Sequence, residues 1–539
     1  MAMRTWTLLL LVASGLPATD YYVAPAPAGD DTHTGLSSGA ALATVSAALA
    51  KTASGDRVLL QRGGTYRGTF TMQAGRTLTD YDSGALPVVT ASTVVTPTGG
   101  TIKTASIASQ VRALWIDGAF APPARYPDTG WLTVDAGSTA TALVDAGLKA
   151  RAVGRFTGAQ VHWRRWSWWW ETRPITADNG TTTLAIGGTA QNGTDLVGIG
   201  SGYFIDNDLD ELDADREWFW GSNTLSVQVP SGATTVEVAT TTNGITANGG
   251  TIENIAFHRF AGTALTLNGL TTVRGCDFRE IEVDALRGEW NSYGSLVTGN
   301  TFRDIRNCAI TWNENPAQTG GSIIERNQIE RIGMDFGYGG SGSWHASGIV
   351  VYNSKPLIIR LNRIIETGYC GVILGPDGNT VSRNVFVRCM GSLNDGAAIY
   401  ANSNASIISE NIILDTIGNL ATSHPWTPLG HGIWIEFLSD FHNSQLLNNT
   451  VYGSGGNGIF LPNNYTSTVT GNTCVDNRMG GLELERGDSS KPTSQNHTIS
   501  GNILGVVAAT RRQIWPENLE TWSNPVASDL SYKTGIDYG

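Results

Sequence analysis

His431-Gly432-Ile433-Trp434-Ile435, Asn449-Thr450-Val451, Gly458-Ile459-Phe460-Leu461, Asn472-Thr473-Cys474 and Gly481-Leu482-Glu483-Leu484 follow one another along the chain. Two phrases alternate in this stretch: Asn-x-apolar, and a small residue followed by aliphatic-x-aliphatic. The first recurs at Asn254, Asn300-Thr301-Phe302, Asn327-Gln328-Ile329, Asn362-Arg363-Ile364, Asn384-Val385-Phe386, Asn411-Ile412-Ile413 and Asn502-Ile503-Leu504. The second recurs at Ala309-Ile310, Gly348-Ile349, Gly371-Val372 and Ala398-Ile399. Spacings of 22 to 23 residues repeat, with longer gaps where loops intrude. Two or three short strands per period, with Asn or Gly at the corners, is the pattern of one coil of a parallel β-solenoid. A single coil cannot bury its apolar face and must stack on its neighbours. Alternation directs Ile310, Ile349, Val372, Ile399, Ile433, Ile459 and Leu482 inward. The same alternation turns Tyr400, Trp434 and Phe460 outward, as a ladder or a sugar-stacking platform.

Composition agrees with an all-β chain. Of 539 residues, 65 are Gly and only 15% are charged, against 41% hydrophobic. Glycine at that frequency serves turns with positive φ, and the abundance of Thr, Val and Ile favours short strands. A formal net charge of −12 argues against a nucleic-acid partner, because phosphate contacts need a basic face. Cys276, Cys308, Cys370, Cys389 and Cys474 are odd in number, form no CxxC pair, and read as buried thiols without disulfide or metal roles. Residues 1–18, with Arg4 ahead of an apolar run and small residues at the end, read as a signal peptide. A secreted or periplasmic protein, with no membrane span and no partner chain, is therefore expected.

The repeat phrases over residues 250 to 510 resemble the right-handed parallel β-helix superfamily of pectate-lyase-like, carbohydrate-active proteins, and most closely its glycoside hydrolases. The start of the chain supports this. Tyr21-Tyr22-Val23-Ala24-Pro25, Gly29-Asp30-Asp31, Gly55-Asp56-Arg57-Val58 and Gly64-Thr65-Tyr66 resemble the first coil of secreted members. There a capping helix, here over Ala40 to Thr52, closes the solenoid. Residues 101–240 interrupt the repeat and resemble an inserted β-rich subdomain of such hydrolases, except that Asp215-Arg216 stands where Pro-Gly usually precedes Glu217-Trp218. The expected order is cap and first coils over 19–100, insertion over 101–240, β-helix over 241–510, and a C-terminal cap or tail over 511–539.

Counting from the inward aliphatic of each coil, His345 and Asp395 fall four residues before it, Tyr369 three before and His431 two before. Glu314 falls four after, Glu436, Tyr352 and Asn402 three after, and Asp377 five after. Coils stack about 4.8 Å apart, so shared offsets bring neighbouring side chains together.

The resemblance implies that Asp395 and Glu436 are the catalytic carboxylates, Asp395 as nucleophile or base and Glu436 as acid, assisted by His431 and His345. Tyr369, Asp377, Tyr400, Trp434 and Glu314 would bind substrate. Asp395 and Glu436 stand about 23 Å apart along an ideal strand, more than the roughly 5 to 9.5 Å of glycosidase pairs. Glu436 with Asp377 or Glu314 is the substitute pair.

The lyase members of the superfamily imply another chemistry, proton abstraction from a uronate. The base would then be His345, Tyr369 or His431, with Lys355, Arg360, Arg363, Arg383, Arg388 or calcium neutralising the carboxylate. A non-catalytic carbohydrate-binding solenoid is the third reading. The expected activity is hydrolysis of a polysaccharide or oligosaccharide by a cofactor-free monomer. The negative charge favours a neutral sugar over a polyuronate. The tryptophans of Trp163-Arg164-Arg165-Trp166-Ser167-Trp168-Trp169-Trp170 read equally as sugar stackers or as packing.

Overall fold

The computed structural model describes residues 18–505, apart from 149, 190–196, 319, 355, 423–426, 437–441 and 486–493, and the backbone of 514–516, 526–528 and 531–532. Residues 1–17 of the expected signal peptide and nearly all of the expected C-terminal tail lie outside the described residues. Three long parallel sheets of 12, 14 and 13 strands run the length of the molecule. Each coil visits them in turn, for example Ile310–Asn313 in the first sheet, Ile323–Glu325 in the second and Gln328–Ile332 in the third.

Register between coils follows the sequence phrases residue for residue. Ile310 pairs with Ile349, then Val372, Ile399, Ile433, Ile459 and Leu482, one column through seven coils. All seven side chains are fully buried in one continuous core. Burying each such side chain contributes roughly 1.5–3 kcal/mol, which is why the column, and not local propensity, fixes the register.

The Asn phrase forms a second column, between the second and third sheets. Asn300, Asn327, Asn362, Asn384, Asn411, Asn449, Asn472 and Asn502 are all buried. Within the column each side-chain oxygen accepts from the backbone and the amide of the preceding Asn, as in Asn362 N and Nδ2 to Asn384 Oδ1 at 2.9 and 3.0 Å. Each Nδ2 also reaches a strand carbonyl, as in Asn384 to Ile359 at 3.0 Å. Buried amides satisfied in this way rigidify the corner instead of destabilising it. The column starts at Cys276, whose backbone N–H donates to Asn300 Oδ1. Asn254 does not belong to it. Asn254 occupies the left-handed corner position one residue earlier, at φ 58°, as Gly275, Gly299 and Arg326 do in the next coils.

The small residue opening the second phrase has its own cause. A Cβ on Gly371 would lie 2.5 Å from Phe386, and one on Gly432 would lie 2.3 Å from Val451. At this corner the first sheet closes onto inward side chains of the third, leaving no room for bulk.

Helix α1, Val45–Lys51, closes the N-terminal end, shorter than the sequence suggested because Thr44 is its cap and accepts from Ala47 N–H. Val45 and Ala48 extend the solenoid core. All five cysteines are free and buried. Among the described residues no helix is long and apolar enough to cross a membrane.

The strands from Thr93–Val95 to Val236–Ala239 leave the solenoid for three antiparallel sheets. Arg216 takes φ 76°, a conformation natural to the Gly usually found there. Its guanidinium compensates by donating to the carbonyls of Ile116, Ala119 and Phe120. In the hairpin of Gln160–Trp166 and Trp169–Asp178, Trp163, Trp169, Trp170, Arg164 and Arg165 are all buried. Most of the Trp-Arg run is therefore packing. Arg164 donates to the carbonyls of Ala421 and Asn419, fastening the insertion to a β-helix loop.

Candidate active site

The outward column of the first sheet runs Ile373, Tyr400, Trp434, Phe460 and Glu483. Tyr400 and Trp434 meet edge to face at 5.1 Å, and Trp434 and Phe460 lie 5.3 Å apart. Trp170 of the insertion packs into the same cluster, together with Tyr369. The aromatic row is thus sandwiched between solenoid and insertion, and its members are less than 10% exposed.

Asp395 immediately precedes strand Gly396–Ala401 and takes φ 63°. Its neighbour Asn394 donates its backbone N–H to the Ser167 carbonyl at 2.9 Å, so the hairpin tip holds this turn. Burial pushes the Asp395 carboxyl up to about 6, against a smaller opposing pull from Ser167. The Tyr369 ring lies over Gly396, where a Cβ would meet it at 2.7 Å.

Glu436 follows strand Gly430–Ile435 at the opposite end of the strand pair. It is buried, and the Tyr400 hydroxyl donates to its carboxylate. The two backbones keep the wide separation expected from the sequence, but both carboxyl groups act on one phenol. Burial, above all, then Cys370 and the charges of Asp395 and Glu436 drive Tyr369 well above the ordinary tyrosine range. Tyr369 and Tyr400 share one buried cluster, Tyr369 bonded to the Asp395 backbone and Tyr400 to the Glu436 carboxylate.

His431 stacks on Phe460 at 4.7 Å and accepts from the Asn457 backbone N–H at 3.0 Å. Burial, with Arg478 nearby, lowers it to about 3. His345 belongs to an earlier coil. Burial lowers it to about 4, and neither ring nitrogen has a hydrogen-bond partner.

Two expected substrate binders lie elsewhere. Glu314 is fully buried and accepts from Trp312 Nε1 at 2.8 Å and Ser322 Oγ at 2.6 Å. It satisfies an interior corner because Trp312 points into the solenoid. Asp377 is exposed and accepts from Asn404 N–H at 2.7 Å, capping a turn between coils. Both carboxylates are thus engaged at corners of their own coils. Tyr352 stacks with Trp344 at 5.7 Å on the same face, nearer the N-terminus.

Glu483 and Asn457 are site residues that the offset rule missed. Glu483 is buried in the aromatic column, and Asn457 donates its side-chain amide to it while its backbone holds His431. The signal was present: Glu483 occupies the same outward position as Phe460. The Ser167 and Trp170 contacts had no comparable signal, since they come from a distant part of the chain.

A chain of three stacked parallel sheets with this register is a right-handed parallel β-helix protein. Residues 305–445 and 347–518 match the family described as right handed beta helix region. No curated protein sequence matches the chain. A solved glycoside hydrolase structure is similar over 97% of this chain and 98% of its own, with TM-score 0.62 and 13% identity. The complex of XylC with xylose (TM-score 0.43, 11% identity) covers 95% and 86%. The GH136 lacto-N-biosidase from Eubacterium ramulus (0.34, 11%) covers 93% and 68%.

Proposed function

We propose that this chain is an exported glycoside hydrolase that cleaves a neutral polysaccharide or oligosaccharide on the outer face of the first sheet. The observation that carries the reading is a pair of carboxyl groups in unlike environments at the two ends of one aromatic-floored strand pair. Unlike environments separate an acid from a base. Asp395, pushed up to about 6, holds a proton for the departing glycosidic oxygen. Glu436, already accepting from Tyr400, lies at the far end of the strand pair, where it can hold a sugar hydroxyl. This gives Asp395 the acid role that the resemblance implied for Glu436. In the step, the bond from the anomeric carbon to the leaving oxygen breaks as the bond to water oxygen forms. Asp395 gives one proton to the leaving oxygen, and the attacking water releases one to solvent.

Elimination is less well supported. A base lowered to about 3 or 4, as His431 and His345 are, accepts protons poorly at neutral pH. Tyr369 is pushed away from phenolate. Arg360, Arg383 and Arg388 pair with Glu325, Glu410 and Glu366 at 2.7 to 2.8 Å, and Arg363 faces Glu330 at 3.9 Å. Lys355 lies outside the described residues.

The test is to incubate the protein with neutral and uronic polysaccharides while following reducing ends and the ultraviolet absorbance of unsaturated uronates. New reducing ends without absorbance support hydrolysis. Absorbance rising in step with them overturns it.

A further inference from the structure

A cavity of about 670 Å³ lies where the insertion meets the corners that follow the third sheet. Phe120, Arg125 and Trp131 form the wall given by the insertion. Glu280, Asp304, Arg306, Arg331, Asp335 and Phe336, from successive coils, form the other. Its size lies within the range of small-molecule sites.

Elsewhere the same junction is closed by direct contacts. His162 Nδ1 meets the Gly337 carbonyl at 2.6 Å, and Thr172 N–H donates to Ser341 at 3.2 Å. The opening is therefore a local feature of a closely fitted interface. An aromatic wall divides it from the candidate active site: Trp131 stacks on Phe336 at 5.7 Å and meets Trp170, which packs with Tyr369 and Tyr400, at 5.2 Å.

The polar groups of the cavity are held in place before any ligand arrives. Arg331 forks onto Asp304 with two contacts of 2.7 Å. Arg306 donates to Asp335 at 2.7 Å and to Glu282 at 2.9 Å, while lying 4.1 Å over the Phe120 ring. The Arg125 guanidinium donates to the Pro127 and Gly130 carbonyls, at 3.0 and 2.7 Å, and lies 4.0 Å over Phe204. Three arginines and three carboxylates line the space, so fixed charge cancels. What remains is an alternation of donors and acceptors beside flat apolar faces. That is the complement of a neutral sugar, whose hydroxyls both donate and accept and whose ring face is apolar. A polyanion would meet as many carboxylates as arginines.

We propose that this cavity is a second saccharide-binding site, for a neutral oligosaccharide, separate from the catalytic face. It does not require Asp395 or Glu436 to be catalytic. The experiment is a calorimetric titration of the full-length Asp395→Asn protein, in which turnover is suppressed, with xylohexaose, cellohexaose, mannohexaose and hexagalacturonate. Binding of at least one neutral hexasaccharide is expected, weakened about tenfold or more by Asp335→Asn and by Phe336→Ala. Adding Glu436→Gln to the titrated protein is expected to leave that binding in place. Asp335 is about half exposed, so its variant carries the test if Phe336→Ala does not fold. Undiminished binding in the cavity variants, preference for hexagalacturonate, or no binding of any neutral hexasaccharide would overturn the proposal.

Discussion

The Tyr369 hydroxyl donates to the backbone carbonyl of Asp395 at 2.9 Å, tying the turn that presents one candidate carboxyl group to the preceding coil. Tyr369→Phe keeps the ring over Gly396 and removes that bond. The expected cost is about 1 kcal/mol of stability, together with a lower kcat and a displaced pH profile. An unchanged pH profile would leave Tyr369 with a packing role alone.

Asp395 sets the alkaline side of the pH dependence. If it is the proton donor, kcat/KM declines as pH rises through about 6, and Asp395→Asn lowers kcat by about 10²–10⁴-fold. Stability carries the same signature. A carboxyl raised by folding binds its proton more tightly in the native state, so its contribution is complete below the unfolded pKa near 3.8 and is lost as pH rises through about 6. Asp395→Asn is therefore expected to be more stable than the parent at pH 8 by about 2 kcal/mol, with little difference at pH 3.5. Urea titrations at the two pH values check this.

Three buried histidines make the fold acid-sensitive. His345 and His497 are lowered to about 4 and His431 to about 3. Groups depressed by folding contribute stability that is present above their unfolded pKa near 6.5 and lost as pH falls through the folded values. His345 has no hydrogen bond to lose. His345→Leu is expected to be neutral or stabilising at pH 7 and to gain about 2 kcal/mol over the parent at pH 4.5. Equal acid sensitivity in the two proteins would remove His345 from this account.

Asn384→Ala interrupts the amide column at its middle. The backbone N–H and amide of Asn362 lose their shared acceptor, and Ile359 loses its donor. A loss of about 3 kcal/mol or more is expected in urea denaturation.

Gly432→Ala tests the corner. The added methyl would stand 2.3 Å from Val451 Cγ1 and 2.5 Å from the Gly458 carbonyl, and a loss of about 1–3 kcal/mol is expected. Circular dichroism melts of the variant and parent decide it.

The solenoid was legible because its determinants are periodic and local. Ile433 and Gly432 recur in every coil for reasons of space, and Asn449 for reasons of hydrogen bonding, so one coil predicts the next. Asn254 misled because a left-handed corner and the buried position beside it both suit asparagine, and only register separates them. Glu314 shows that a carboxylate near a strand end can satisfy an interior corner as readily as it can face substrate.

Sequence alone therefore determined the coil, its inward column, its outward aromatic row and the offsets that bring Tyr369, Asp395 and Glu436 onto one face. Tertiary structure decided which carboxyl groups share a neighbour, that burial pushes Asp395 up, and where a cavity remains. Those properties depend on the insertion, whose Ser167, Trp131 and Trp170 lie far ahead in the chain of the residues they meet. Burial and electrostatics are set by whatever packs from outside, and no period within the solenoid encodes it.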